Sequence, residues 1–74
     1  MEKADELLIQ KYIHQDVELK KSVDDHKQLE TDIESFNKRI YLTSEEEIEK
    51  KNLQKKKLYK KEQIYKILAK YRDE

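Results

Sequence analysis

The 74-residue chain contains no glycine, and this absence limits the folds it can adopt. The tightest β-hairpin turns rely on glycine for backbone angles that most other residues avoid. Phosphate loops and dinucleotide-binding turns also need glycine, because their backbone approaches the ligand closely. The sequence therefore lacks the best residue for β-hairpins and excludes every glycine-based nucleotide loop.

The composition is typical of long helices. Alanine, glutamate, lysine, leucine and arginine together make up about half of the residues, as in coiled coils. The absence of cysteine excludes a disulfide scaffold, a thiolate-ligated zinc or iron–sulfur site, and thiol catalysis. The sequence therefore predicts an all-α fold without a redox or thiolate centre.

Apolar residues recur every three or four positions in the first half of the chain, which is the period of one helix face. They run through Leu19, Val23, His26, Leu29, Ile33, Phe36 and Ile40. This stripe predicts a first helix over about 2–40. Two competing stripes lie upstream, so the helical phase slips near 15–16, where Asp16 can cap a new helix. The sequence leaves open whether the first helix is continuous or breaks there.

A turn is predicted at 41–44, followed by a second helix over about 44–71. Thr43 precedes Glu46 by three residues, and Ser44 precedes Glu47 by three. Either pair fits a capping box, in which the hydroxyl and the carboxylate satisfy backbone N–H groups at the helix start. The short connection favours an antiparallel arrangement of the two helices.

The charges predict how the two helices align. Residues 1–40 carry three more acids than bases, and residues 41–74 carry three more bases than acids. Folding at the turn pairs residue i with residue 85 − i, which places Asp25 beside Lys60 and Glu30 beside Lys55. The sequence therefore predicts one unit over 1–74, a coiled-coil-like antiparallel two-helix hairpin.

Two helices bury little apolar surface, and chains this small usually need a metal, disulfides or oligomerisation. Self-association into a helical bundle, as a dimer or larger, is therefore expected. The candidate interaction residues are the apolar, His and Tyr side chains of the predicted interface. They are Leu19, Val23, His26, Leu29, Ile33, Phe36, Leu58, Ile64, Tyr65, Leu68 and Tyr71. Of these, Tyr65, Leu68 and Tyr71 are alternatively anchors for a different protein.

Residues 16–71 resemble the YdcH-like family of short bacterial proteins of unknown function. The resemblance rests on Asp25-His26-Lys27-Gln28-Leu29, on the turn at 41–49, and on the lysine-rich segment 53–64. Lys60 departs from the family pattern, which commonly has leucine there. The resemblance implies a small helical hairpin with an unassigned role, and it supplies no catalytic residues.

A lysine cluster suggests a second function class. Residues 50–61 contain seven lysines and no acids, a density that could neutralise the phosphates of a nucleic acid. The cluster consists of Lys50, Lys51, Lys55, Lys56, Lys57, Lys60 and Lys61. The simpler interpretation is a solvated helix whose lysines pair with acids of the first helix.

Other function classes have weaker support. His26 with Asp25 and Glu30 is at most half of a metal or acid–base site, and no nucleophile lies beside a base. We therefore predict no enzyme activity, no metal and no cofactor. The chain has no apolar run long enough to span a bilayer. The sequence favours a cytoplasmic adaptor that binds proteins through its helix faces, with nucleic-acid association as the alternative.

Overall fold

The computed structural model describes residues 3–72 of the protein, and this part consists of three helices without a strand. The helices are α1 (Lys3–Tyr12), α2 (Val17–Asn37) and α3 (Ser44–Arg72). The all-α prediction is confirmed, but the two-helix hairpin is not, because the predicted first helix is divided in two. Its predicted start at residue 2 lies outside the described residues.

The division between α1 and α2 lies where the two apolar stripes compete. The backbone N–H groups of Gln15 and Asp16 both donate to the Tyr12 carbonyl, which closes α1. Asp16 then adopts an extended conformation, and its Oδ1 accepts from the Leu19 N–H at 3.0 Å. An acidic side chain that satisfies a free N–H group at this position starts a new helix.

The turn between α2 and α3 is longer than predicted. α2 ends at Asn37 rather than near residue 40, and the Lys38 N–H donates to the Glu34 carbonyl at 3.2 Å. Ile40 therefore does not continue the apolar stripe and is 89% exposed. Glycine is the usual residue for positive φ angles, and no described residue adopts one.

α3 begins with the first of the two predicted capping boxes. The Glu46 N–H donates to Thr43 Oγ1 at 3.1 Å, and the Thr43 N–H donates to Glu46 Oε1 at 3.2 Å. The Glu46 carboxylate also accepts from Arg39 in the turn. The turn and the helix start are therefore tied together by one carboxylate.

The core lies at the end of the structure opposite the turn, where α1 packs against the pair formed by α2 and α3. Its buried residues are Leu19, Val23, Ile64, Ile67 and Leu68. The half-buried side chains packed against it are Leu8, Ile9, Tyr12, Ile13 and Tyr71. α1 is thus held in place by apolar side chains spaced three or four residues apart, as on any amphipathic helix.

The predicted antiparallel register is close to the observed one. Lys60 Nζ lies 3.2 Å from Asp25 Oδ2, as expected. Glu30 pairs with Lys57 at 3.9 Å instead of Lys55. Lys55 and Lys57 are two residues apart, which places them about 160° apart around α3, so the half-buried Lys57 faces α2 and the exposed Lys55 does not.

Candidate interaction surfaces

The half of the structure that contains the turn has almost no core of its own. From residue 24 to residue 63, Ile33 is the single buried side chain. α1 covers the other half, so the turn half is formed by two helices alone. A pair of helices leaves much of each apolar face in water unless a further element covers it.

Large apolar side chains are exposed in this half. We define the turn-end surface as Ile40, Tyr41, Ile48, Leu58 and Tyr59. Each of them is at least 58% exposed, and Tyr41 reaches 86%. Tyrosine is common at protein interfaces because its ring is apolar while its hydroxyl can stay hydrated. The turn-end surface therefore has the composition of a protein-binding surface.

Leu58 does not lie between α2 and α3, as the sequence predicted, but on the outside of α3. It is six residues before the fully buried Ile64, which places the two side chains about 120° apart around the helix. The spacing of Ile64, Ile67 and Leu68 determines which face of α3 is buried. Leu58 belongs to a different face, and its exposure follows from this geometry.

The other predicted interaction residues lie mainly inside the protein's own fold. Leu19, Ile64 and Leu68 are completely buried, while Val23 and Ile33 are nearly so. Leu68 is therefore not available as an anchor for a partner in this structure. The half-buried members of the predicted set are His26, Leu29, Phe36, Tyr65 and Tyr71.

Tyr71 joins all three helical segments, a role that the sequence did not reveal. Its ring stacks on Tyr12 with centroids 3.9 Å apart and an interplanar angle of 13°. Its hydroxyl donates to Asp16 Oδ2 at 2.6 Å. This hydrogen bond, together with the one from the Leu19 N–H, lowers the pKa of Asp16. The predicted register placed Tyr71 near His14. This position is two residues from Tyr12 and two residues from Asp16, both of which Tyr71 contacts.

The predicted lysine cluster is not a single open face. Lys50, Lys57, Lys60 and Lys61 are half-buried along the edges of the α2–α3 pair, and two of them form ion pairs with α2 acids. Lys51, Lys55 and Lys56 are exposed. The structure thus divides the cluster into lysines that align α3 with α2 and lysines that face solvent.

His26 is a half-buried polar side chain whose Nε2 atom is buried. Its Nδ1 lies 3.3 Å from Glu30 Oε1, and its Nε2 is buried without a hydrogen-bond partner. An ionised carboxylate can only accept, so this contact favours a proton on Nδ1. Burial lowers the pKa of His26, although Glu30 opposes this effect. Within residues 3–72 no group of three or more acidic or histidine side chains could hold a metal ion.

The lowered pKa of His26 predicts a loss of stability at mildly acidic pH. The unfolded chain binds the proton more readily than the folded one, so the free energy of unfolding decreases as the pH falls below about 6.5. The H26L variant removes this dependence between about pH 7 and 5, while H14L, at an exposed position, retains it. Urea denaturation at each pH measures the effect, and equal pH dependence in wild type and H26L would contradict it.

Two of the grooves formed by residues 3–72 are lined by both α2 and α3. The first has a volume of about 490 Å³ and lies between α1, α2 and α3, with Ile9, Ile13, Val23 and Ile64 among its lining residues. The second has a volume of about 460 Å³ and is lined by α2 and α3 without any residue of α1. We call the second one the basic groove. It is lined by Glu18, Lys21, Ser22, Lys60, Gln63, Lys66, Ile67 and Lys70.

No described helix combines the length and the apolar character needed to cross a bilayer. Comparisons with protein-family models, with curated proteins and with solved structures found no match. The resemblance to YdcH-like proteins therefore stays a hypothesis. Three surfaces of residues 3–72 are candidates for binding, which are the turn-end surface, the exposed lysines and the basic groove.

Proposed function

We propose that the protein is a small, non-enzymatic adaptor of the cytoplasm that self-associates through its turn half and binds other proteins through its remaining helix faces. The observation that carries the proposal is the contrast between the two halves. The half with α1 has a buried core, whereas the turn half has Ile33 as its one buried side chain. A second copy on the turn half would supply the missing cover.

The charge distribution supports a second copy as the occupant. α2 contains six acids and three bases, and α3 contains five acids and ten bases. In a two-fold dimer the same patch is present on both subunits, so α2 of each copy can lie beside α3 of the other. Opposite charges then meet twice, which favours this arrangement over contacts between like helices.

Self-association is tested by placing a charge on the turn-end surface. Burial of a leucine side chain contributes about 1.5–3 kcal/mol, so L58K is expected to weaken self-association by about tenfold or more. Sedimentation equilibrium over a range of concentrations measures the change. L7K is the matched control, because Leu7 is 57% exposed and Leu58 is 58% exposed, but Leu7 lies on α1.

We expect wild type and L7K to sediment as the same oligomer and L58K to dissociate. A folded wild-type monomer at the highest concentration would refute self-association. An equal effect of L7K and L58K would assign the contact to a surface other than the turn half. Circular dichroism on each variant distinguishes dissociation from unfolding.

Nucleic-acid association is the alternative, and the exposed Lys51, Lys55 and Lys56 are the observation that favours it. Three phosphate contacts on duplex DNA would weaken binding by about 40-fold between about 50 and 200 mM salt. The segment 50–61 contains no arginine for bidentate contacts to bases. Binding by this route would therefore be independent of base sequence. Affinity that stays constant over this salt range would exclude the alternative.

A further inference from the structure

The basic groove lies between α2 and α3, and its net positive charge comes from the α3 wall, because Lys21 and Glu18 on the α2 wall offset each other. Lys21 comes from α2, while Lys60, Lys66 and Lys70 come from α3, and Glu18 is the one acid among the lining residues. Lys60 forms an ion pair with Asp25. Lys21 and Lys66 pair with no carboxylate among residues 3–72, so their charges are available to a ligand.

The floor of the groove is small and partly apolar. Ser22 and Ile67 are each 8% exposed and lie among the lining residues. Serine has a short side chain, so it leaves space between the helices that a leucine at this position would fill. A ligand that enters the groove therefore meets a partly apolar floor beside a basic wall formed by α3.

α1 shows what kind of element the α2–α3 pair accepts along its length. It is a helix of ten residues that packs on the shared core through Leu8, Ile9, Tyr12 and Ile13. The α1 contact is mostly apolar, whereas four of the eight residues that line the basic groove are lysines. A helix that occupies the basic groove must therefore carry acids at its edges.

We propose that the basic groove binds an acidic amphipathic helix of a partner protein. Lys60 and Lys70 are ten residues apart on α3, a distance of about 15 Å, which matches about ten residues of a docked helix. Acids three or four residues apart on that helix would meet the lysines, and a single apolar side chain between them would contact Ile67. The inference names the partner chemistry of the proposed adaptor and uses a surface that shares no residue with the turn-end surface.

The proposal is tested with a fluorescein-labelled synthetic peptide of glutamate, alanine and leucine with the acids on one helix face. Fluorescence anisotropy measures its binding to the full chain. The K21E/K66E double variant changes both walls of the groove, and we expect it to weaken binding by about tenfold. K55E/K56E is the matched control, because it makes the same charge change at exposed lysines outside the groove.

The results of the binding experiment distinguish between the possible occupants of the basic groove. Binding that is lost in K21E/K66E and kept in K55E/K56E supports the acidic helix. Equal losses in both would show a general attraction to positive charge and overturn the proposal. A single-stranded DNA of the same charge that displaces the peptide and depends on Lys21 and Lys66 would assign the groove to nucleic acid.

A separate result distinguishes this inference from the proposed self-association. L58K is expected to bind the peptide as wild type does, even as a monomer, because Leu58 does not line the groove. K21E/K66E is expected to self-associate normally. Loss of self-association in K21E/K66E would identify a second copy as the occupant of the groove and overturn the proposal of a different partner.

Discussion

The L68A substitution is expected to lower the free energy of unfolding by about 2–5 kcal/mol, the largest effect of any single substitution considered for this chain. Leu68 is completely buried and contacts the core that α1, α2 and α3 share. The truncation removes apolar contacts and leaves a cavity that the surrounding helices fill only partly. Urea denaturation followed by circular dichroism measures the difference in free energy of unfolding.

L7A is the matched control for L68A. Leu7 is 57% exposed, so its truncation is expected to change the free energy of unfolding by less than about 0.5 kcal/mol. If L68A does not fold at all, I64V provides the graded measurement, because this smaller truncation of a fully buried residue costs about 0.5–1.5 kcal/mol. Similar stabilities for L68A and L7A would contradict the observed position of the core.

D16A is expected to destabilise the fold by about 2.5–4 kcal/mol, because Asp16 has two roles. It caps α2 through the Leu19 N–H, and loss of such a cap costs about 1 kcal/mol. It also accepts from the Tyr71 hydroxyl, and a hydrogen bond to a charged group contributes about 1.5–3 kcal/mol. The same denaturation assay measures the effect. A loss of stability no greater than that caused by substituting an exposed residue would show that the two hydrogen bonds of Asp16 do not stabilise the fold.

A double-mutant cycle separates the two roles of Asp16. Y71F removes the hydroxyl and keeps the ring that stacks on Tyr12. If the hydrogen bond contributes as proposed, D16A/Y71F is less destabilised than the sum of the two single variants by about 1 kcal/mol or more. D16N keeps a side-chain oxygen for the cap and removes the carboxylate charge, so it tests how much that charge contributes. Strict additivity would assign the whole effect of D16A to the cap.

Asp16 also links stability to strongly acidic pH. Its hydrogen bonds to Tyr71 and to the Leu19 N–H lower its pKa below the ordinary value of 3.8. The folded state therefore prefers the ionised carboxylate, and this stabilisation is complete above the ordinary value. It is lost as the pH falls from about 3.8 through the lower pKa of the folded state. Asp16 thus acts in a different pH range from His26.

Local signals in the sequence predicted the start of α3 and offered Asp16 as one possible start of α2. Thr43 and Glu46 form the capping box at the start of α3, and Asp16 caps α2 at the point where the apolar phase slips. Both features depend on side chains that hydrogen-bond to backbone groups within three residues. Interactions of this range can be read from spacing alone.

Long-range contacts were predicted less well, because spacing alone does not determine them. The separate packing of α1 requires the Tyr12–Tyr71 stack and the ion pair between Asp5 and Arg72, which join the two ends of the described chain. Asp5 is buried, although nothing in its sequence neighbourhood distinguishes it from the other acids nearby. The exposure of Leu58 was missed for a related reason, since sparse apolar residues on α3 allow more than one buried face.

The position of Tyr71 has a consequence for the order in which the chain folds. The loop between α2 and α3 is short, so this pair can form from the turn outward with a small loss of chain entropy at each step. The hydrogen bond between Asp16 and Tyr71 joins residues 55 positions apart, at the end of the pair farthest from the turn. α1 can stack on Tyr71 only once that end is in place. We therefore expect α1 to dock last during folding and to be released first during unfolding.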